Sequence, residues 1–218
     1  CARRAVEEYC LENKDSGPKF VAGAIGPLNK TLSLSPDVNN PGFRAVTFDE
    51  VVVAYKEQIK GLVAGGCDAI LIETMSDLGE VAAAVAAAKE VAPGMPIVAT
   101  LSFDTNLRTM MGVKPAQAIT EIAAMGVRLI GANCGRGTDE MRIIASELAD
   151  AKPADVHVFI QSNAGLPQLV GADFVYTGTP AEMGEFALEM KALGINAIGS
   201  CCGSTHEHTT AIAGALKS

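Results

Sequence analysis

Hydrophobic and polar positions along this chain repeat as short apolar runs followed by longer amphipathic segments. The apolar runs are continuous, as in Ile70-Leu71-Ile72, which favours parallel strands covered by helices. Thr47 and Glu50 have the spacing of a capping box at the start of a helix. The pattern predicts six strands, at 19–25, 68–73, 96–102, 128–133, 156–161 and 195–200. It predicts helices at 2–13, 47–64, 77–92, from about 115, and at 138–150, 180–193 and 205–216.

Alternating strands and helices are compatible with two architectures, an open doubly wound sheet and a (β/α) barrel. No Gly-x-Gly-x-x-Gly follows the first strand, so the dinucleotide-binding form of the open sheet loses support. Cysteines and polar residues gather where strands end, and long loops are expected there, at Gly26 to Val46 and Asn163 to Gly178. These features favour an α/β fold of the (β/α)8 TIM-type barrel class. We expect one domain over residues 1–218, truncated at the amino terminus, with six of the eight strands present.

Composition narrows the classes of function and partner. The net charge of −8 leaves no basic surface for nucleic acid, and it argues against an anionic membrane surface. No apolar run approaches the roughly 18 residues of a spanning helix. Six cysteines in 218 residues are too few for a disulfide scaffold, which favours a reducing, cytoplasmic compartment with free or metal-bound thiols.

Three cysteines lie at strand ends, in Asn133-Cys134-Gly135 and Cys201-Cys202-Gly203. Strands two apart in such a barrel contribute side chains to the same layer, so these thiols can meet around one ion. Thiolates in a tetrahedral site favour Zn²⁺, and three protein ligands would leave the open position of a catalytic site. Neighbours on a regular strand face opposite ways, so both Cys201 and Cys202 can bind one ion only where the strand has ended. Gly203 is placed to allow that turn.

Simpler interpretations of the cysteines remain. A free cysteine is often a small buried hydrophobe. A disulfide between Cys201 and Cys202 is a second alternative, but it is strained and does not explain Cys134. Three thiols at the ends of alternating strands favour the metal site over both.

The pattern Cys134 with Cys201-Cys202-Gly203 resembles the zinc signature of the homocysteine S-methyltransferase family. This family includes the homocysteine module of cobalamin-dependent methionine synthase and betaine–homocysteine methyltransferase. The resemblance covers essentially the whole chain. Further stretches that carry it are Gly26-Pro27-Leu28-Asn29-Lys30-Thr31-Leu32-Ser33, Ser35-Pro36-Asp37-Val38, Ile70-Leu71-Ile72-Glu73-Thr74 and Asn163-Ala164-Gly165-Leu166-Pro167.

The resemblance implies a zinc-dependent enzyme that activates homocysteine as a thiolate and methylates it to methionine. Three cysteine thiolates would hold Zn²⁺, and the homocysteine sulfur would take the open position. Glu73 would bind the substrate's α-ammonium group. Asn133 and Asn163 follow or end strands and can orient ligands or substrate, although asparagine is common at such turns anyway.

The methyl donor is left open between betaine and methylcobalamin or methyltetrahydrofolate, with cobalamin carried on another module. Relatives begin with a strand carrying an Asp-Gly motif, and neither this strand nor the next is found here. One alternative is therefore a catalytically incomplete zinc-binding fragment or subunit that needs a partner, such as a second copy or a cobalamin-binding module. Another is a thiol redox protein that uses Cys201 and Cys202.

Overall fold

The computed structural model describes residues 1–14 and 17–217, in which helices and strands alternate. The helices are α1 (Ala2–Glu12), α2 (Phe48–Ala64), α3 (Leu78–Val91), α4 (Pro115–Ala124), α5 (Thr138–Ala151), α6 (Pro180–Ala192) and α7 (His206–Lys217). The strands are β1 (Ala22–Ile25), β2 (Ala69–Met75), β3 (Ile97–Leu101), β4 (Leu129–Cys134), β5 (His157–Ser162), β6 (Pro167–Val170), β7 (Asp173–Tyr176) and β8 (Ala197–Ser200).

Six strands form one sheet in the order β1-β2-β3-β4-β5-β8. The pairs β1–β2, β4–β5 and β5–β8 are parallel. Each strand thus has as its neighbour the strand that precedes or follows it in the chain, once the β6–β7 pair is set aside. A doubly wound sheet reverses its strand order at a switch point, and none occurs here. The predicted α/β class, with six of the eight strands of a TIM-type barrel, is confirmed.

The chain divides into two compact units. The first comprises Cys1–Glu73 and Gly79–Val98. Within it, α2 buries Val51, Tyr55 and Ile59, which are spaced four residues apart and therefore share one face of the helix.

The second unit comprises Thr74–Leu78 and Ala99–Ser218. Its helices α6 and α7 pack through a core of Met183, Ala187 and Ile212. This unit also contains the ends of the strands that precede α5, α6 and α7.

Capping boxes fix the start of two helices. The Thr47 side chain accepts from the backbone N–H of Glu50, whose carboxylate accepts in return from the backbone N–H of Thr47. This confirms the predicted box. A second box joins Thr179 and Glu182 at the start of α6. Each box satisfies two backbone donors that a helix leaves unpaired at its amino terminus.

Two regions differ from the predicted pattern. The segment from Asn163 to Gly178, expected to be a loop, contains the antiparallel hairpin β6–β7, in which Pro167 pairs with Tyr176. Strand β2 continues to Met75, so Glu73 lies within the strand and not at its end. The extension is held by the backbone N–H of Ser102, which donates to the carbonyl oxygen of Met75. No helix in the described part of the chain is long and apolar enough to cross a membrane.

Candidate metal centre

The three strand-end cysteines meet in the second unit. The sulfur atoms of Cys134, Cys201 and Cys202 all lie within 4.8 Å of one another. The distance from Cys134 Sγ to Cys202 Sγ is 3.8 Å, and that from Cys201 Sγ to Cys202 Sγ is 3.9 Å. Among the described residues this is the one group of three or more histidine, cysteine or carboxylate side chains with the spacing of a metal site.

The backbone turns that bring these sulfurs together follow β4 and β8. Strand β8 ends at Ser200, so Cys201 and Cys202 lie beyond it in a turn, and Gly203 has a φ of 78°. This is the turn that the sequence predicts. Cys134 is the last residue of β4 and has a φ of 64°, which is uncommon for a residue other than glycine. Both turns therefore contain a residue with left-handed backbone, and both place cysteine sulfurs in the cluster.

Asn163 connects the two cysteine turns. Its side-chain oxygen accepts from the backbone N–H of Cys202 at 3.0 Å. Its amide nitrogen donates to the carbonyl oxygen of Gly135 at 2.8 Å and lies 3.6 Å from Cys134 Sγ. The side chain is buried, with 3% of its surface exposed. Asn163 is therefore a fixed bridge between the end of β4 and the end of β8.

Asn133 approaches the sulfur of Cys201, as Asn163 approaches the sulfur of Cys134. Its side-chain oxygen accepts from the backbone N–H of Thr74 at 2.8 Å and from the hydroxyl of Thr100 at 2.7 Å. Its amide nitrogen donates to the hydroxyl of Thr74 at 2.7 Å and lies 3.7 Å from Cys201 Sγ. Thr74, a β-branched residue, has a φ of 61°. Such a conformation is strained, and the two bonds from Asn133 hold it in place.

Hydrogen bonds among the thiols distribute charge in the cluster. The nearby Cys201 thiol, together with hydrogen bonds from the Asn163 amide and the Cys202 thiol, lowers the pKa of Cys134. The proximity of Cys134, together with burial, raises the pKa of Cys201. The cluster therefore carries negative charge on Cys134 more readily than an ordinary thiol would, which suits a cation.

The cluster could hold a metal ion, and its spacing can be compared with that of a zinc site. Two thiolates on one tetrahedral Zn²⁺, each about 2.3 Å from the ion, lie about 3.8 Å apart. The separations of 3.8 and 3.9 Å match that edge, and the third pair, Cys134 and Cys201, lies within 4.8 Å. Cys202 is exposed, whereas Cys134 and Cys201 are half-buried, so one side of the cluster is open to solvent. Three sulfurs with an open side form the ligand set of a site that accepts a fourth ligand from solution.

Glu73 lies on β2 in the first unit and is half-buried. Burial raises the pKa of its carboxyl group. The structure thus brings together five of the six predicted site residues in one unit, Cys134, Cys201, Cys202, Asn133 and Asn163, and places Glu73 in the other.

Tyr176, at the end of β7, is a contact that sequence reasoning missed. Burial and the nearby Cys202 thiol raise the pKa of its phenolic hydroxyl. Its ring lies against Gly203. The available signal was two short runs, 168–170 and 174–176, separated by Gly171, Ala172 and Asp173, which is a hairpin pattern. Nothing in the sequence marked Thr74 and Thr100 as hydrogen-bond partners of Asn133.

Crystal structures of the homocysteine methyltransferase MmuM from Escherichia coli share the fold. The apo form has a TM-score of 0.75 and 18% sequence identity, over 98% of this chain and 69% of that one. The metallated form has a TM-score of 0.74 and 20% identity, over 100% of this chain and 67% of that one. The oxidized form has a TM-score of 0.67 and 22% identity, over 99% and 66%.

The chain therefore spans about two thirds of the length of the E. coli protein. At these identities the likeness shows the fold alone. A sequence profile provides the independent evidence, because the profile of the homocysteine S-methyltransferase family matches residues 1–216. With nearly every residue inside that match, the chain belongs to the homocysteine S-methyltransferase family.

Proposed function

We propose that this chain binds one Zn²⁺ through Cys134, Cys201 and Cys202 and is a methyltransferase that converts homocysteine to methionine. The observation that carries the proposal is the separation of the sulfurs, 3.8 and 3.9 Å, with one side of the cluster open. Family membership supports the reaction class. A metallated form of the structurally similar E. coli homocysteine methyltransferase supports a metal.

Each protein group has a defined part in this reaction. A bound Zn²⁺ would keep a coordinated thiol deprotonated at neutral pH, and the thiolate is the nucleophilic form of sulfur. Cys134, Cys201 and Cys202 would hold the ion and leave the open side for the homocysteine sulfur. Because the three thiolates give the site a net charge of about −1, the substrate sulfur would keep high electron density toward the methyl group.

The two asparagines would orient the ligands. Asn163 fixes the turn of Cys202 and approaches the Cys134 sulfur, and Asn133 approaches the Cys201 sulfur. Groups that hydrogen-bond to metal ligands fix their orientation and raise the affinity for the ion. This accounts for both residues better than a role as ordinary turn formers, because both side chains are buried and each approaches a sulfur.

Glu73 would bind the α-ammonium group of homocysteine. Burial raises the pKa of this carboxyl group, so its charge is poorly solvated before a ligand arrives. A cationic group of the substrate would stabilise the carboxylate form.

Metal content tests the first step. After purification under reducing, chelator-free conditions, we expect about one zinc per chain by elemental analysis. Cys134→Ser, Cys201→Ser and Cys202→Ser should each lose the metal, whereas Cys67→Ser, which alters a thiol outside the cluster, should retain it. Wild-type protein that folds but contains no zinc, and takes up none when it is supplied, would overturn the proposal.

The second step is tested with the substrate. Isothermal titration of homocysteine into the zinc-loaded protein should show binding with release of about one proton, because the thiol binds as thiolate. The metal-free protein should not bind. Glu73→Gln should weaken homocysteine binding but leave the zinc content unchanged. Methyl transfer is then assayed with betaine, methyltetrahydrofolate and methylcobalamin in parallel, since the donor class is open.

The length of the chain favours one variant of this proposal. Because the chain spans about two thirds of the E. coli protein, the 218 residues alone would bind zinc but catalyse poorly until a second copy or another module completes the barrel. Thermal unfolding and turnover, each measured with and without added partner, separate this variant from a self-sufficient enzyme. Full turnover by the isolated chain at low concentration would contradict it.

Thiol redox chemistry is a second candidate, favoured by the 3.8 Å contact between the Cys134 and Cys202 sulfurs. All six cysteines are free thiols in this structure, which is compatible with a reducing cytoplasmic location. Thiol–disulfide exchange that continues after complete zinc removal, in the absence of any homocysteine binding, would favour this function over methyl transfer.

A further inference from the structure

Helix α7 begins with a cap in which a histidine takes the position that a glutamate has elsewhere in this chain. The carbonyl oxygen of Thr205 accepts from the backbone N–H of Thr209 at 3.2 Å, so Thr205 is the residue that caps the helix. His208, three residues later, bonds back to this cap, because its Nδ1 accepts from the backbone N–H of Thr205 at 3.0 Å. In the capping boxes of α2 and α6 the third position is a glutamate. What distinguishes a histidine from a glutamate here is that its ring can also donate.

His208 has a second bond that a carboxylate cannot make. Its Nε2 lies 2.9 Å from the carbonyl oxygen of Gly178, two residues beyond the hairpin β6–β7. A backbone N–H can only donate and a carbonyl oxygen can only accept, so Nδ1 is the bare nitrogen and Nε2 carries the proton. The Thr205 hydroxyl also lies 3.0 Å from Nδ1, and the His208 side chain is buried, with 7% of its surface exposed. A neutral histidine thus satisfies Thr205 and Gly178 together, whereas a glutamate would turn an acceptor toward the Gly178 oxygen.

Gly178 belongs to the set of backbone contacts that holds the Cys202 turn. The backbone N–H of Gly178 donates to the carbonyl oxygen of Ala164 at 2.9 Å, and the N–H of Ala164 donates to the carbonyl oxygen of Cys202 at 3.0 Å. Asn163 holds the other side of Cys202, since its side-chain oxygen accepts from the Cys202 N–H. A Cβ atom built at Gly178 would lie 2.5 Å from the carbonyl carbon of Ala164, so only glycine allows this approach. Both backbone groups of Cys202 are therefore held by residues 163 and 164, and Gly178 holds Ala164.

We propose that His208 is a positioning residue that fixes the turn of Cys202 for metal binding. This inference rests on the proposed metal site. The chain runs from Cys202 through the turn to Thr205 and His208, and hydrogen bonds lead back from His208 through Gly178 to the segment that holds Cys202. The turn is thereby held from both ends before an ion arrives. Because a ligand already in place loses less conformational freedom on binding, this link raises the affinity for the ion.

The decisive comparison is between two variants of nearly the same shape, His208→Gln and His208→Glu. Both side chains can accept from the Thr205 N–H, as in a capping box, but only the glutamine amide can also donate to the Gly178 oxygen. Zinc affinity is measured by competition with a chromogenic chelator. We expect His208→Gln to bind zinc nearly as tightly as wild type and the dissociation constant of His208→Glu to rise about tenfold, as for other groups that support metal ligands. A residue that only caps α7 would give the opposite order, because a carboxylate in the first turn stabilises a helix.

The matched control repeats this pair at His206, which is exposed two residues earlier in the same helix. His206→Gln and His206→Glu should bind zinc equally well, which excludes a general effect of charge near the start of α7. Urea unfolding of the metal-free variants establishes that each is folded. Should His208→Glu fail to fold, His208→Met replaces it, because methionine fills a similar space without an N–H donor. Equal zinc affinities for His208→Gln and the variant without a donor would overturn the proposal and leave the metal site itself intact.

The tautomer of His208 is tested in the wild-type protein, where loss of folding plays no part. With isotope-labelled histidine, NMR shows which ring nitrogen carries the proton. We expect the proton on Nε2 in both the metal-free and the zinc-loaded protein, because Thr205 and Gly178 impose that tautomer. A proton on Nδ1, or a ring that exchanges rapidly between the two tautomers, would overturn the proposal.

The metal-free protein separates failure of this inference from failure of the proposed function. Hydrogen–deuterium exchange of the Ala164 and Gly178 amides reports the link without any metal, since both N–H groups belong to it. Exchange at both amides should be faster in His208→Glu than in His208→Gln, and equal in the two His206 variants. If the wild type binds no zinc, the proposed function fails, and these rates alone then decide whether His208 holds the turn: a difference supports it and equal rates refute it.

Discussion

A side chain at Gly203 and the ring of Tyr176 would occupy the same space, because a Cβ atom at Gly203 would lie 2.1 Å from Tyr176 Cγ. The atoms in the way belong to the rigid stem of a ring whose backbone is held in the hairpin β6–β7. Gly203 also has a φ of 78°, which an alanine adopts only with strain. Two separate penalties therefore apply to any substitution at this position.

We expect Gly203→Ala to destabilise the protein by about 3 kcal/mol, of which about 1 kcal/mol comes from the left-handed backbone and the rest from overlap with the ring. In a Tyr176→Ala background the overlap disappears and only the backbone cost should remain. Urea unfolding of the two single variants and the double variant measures the coupling as a double-mutant cycle. Strictly additive effects would show that the two residues do not touch.

Asn133 is expected to stabilise the second unit through three strong hydrogen bonds. Asn133→Ala would leave the Thr74 N–H and the Thr100 hydroxyl without this acceptor, at a cost of about 3 kcal/mol. Thr100→Val removes one of these bonds and leaves the Asn133 oxygen paired with Thr74, so it should cost about 1 kcal/mol. Urea midpoints of the metal-free proteins test this ranking, and an equal loss in the two variants would contradict it.

A buried carboxylate in the first unit provides an independent prediction. Glu80, 2% exposed on α3, accepts from the backbone N–H of Leu28 at 2.6 Å and from the hydroxyl of Tyr55 at 2.7 Å. Tyr55→Phe should destabilise the protein by about 2 kcal/mol because a buried acceptor loses a donor. Tyr9→Phe, at a tyrosine that is 49% exposed, is the control and should change stability by less than about 0.5 kcal/mol. Similar losses in both would argue against the buried bond.

The stability of Glu73→Gln relative to wild type should depend on pH. Burial raises the pKa of Glu73 in the folded protein above its usual value of 4.5, so the folded state binds the proton more tightly than the unfolded chain does. Ionisation therefore destabilises the fold as the pH rises through the folded pKa, and the penalty is absent below the unfolded value. Glu73→Gln carries no such charge.

This variant should be more stable than wild type at pH 7, and the difference should close as the pH falls below 4.5. Urea midpoints measured from pH 7 to pH 4 are the test. A difference that is constant over this range would point to packing and not to ionisation.

Much of the scaffold was accessible from the sequence because its signals are local. Continuous apolar runs identified the six strands of the main sheet, and the Thr47–Glu50 spacing identified the start of α2. The turn at Gly203 followed from an argument about side-chain direction, since two adjacent cysteines cannot face one point from a regular strand. The convergence of Cys134 on Cys201 and Cys202 followed from strand order.

Features that depend on tertiary contact were not predicted. The left-handed conformation of Thr74 violates the preference of a β-branched residue and exists because Asn133 satisfies both its N–H and its hydroxyl. The hairpin β6–β7 is exposed along most of its length, so it lacks the half-buried alternation that marks a strand. The contact of this hairpin with the cysteine turn is made by one residue at its base, Tyr176, whose ring lies against Gly203.

The two cysteine turns lie far apart in the chain, and this separation has a thermodynamic consequence. Cys134 and Cys202 are 68 positions apart. An ion bound by both would act as a reversible crosslink that closes this long segment, and the lost freedom of the unfolded chain would amount to about 4 kcal/mol if the link behaved like a disulfide. Release of the ion would then remove a restraint on four strands and two helices at once. The supply of metal would therefore set the stability of the segment between Cys134 and Cys202.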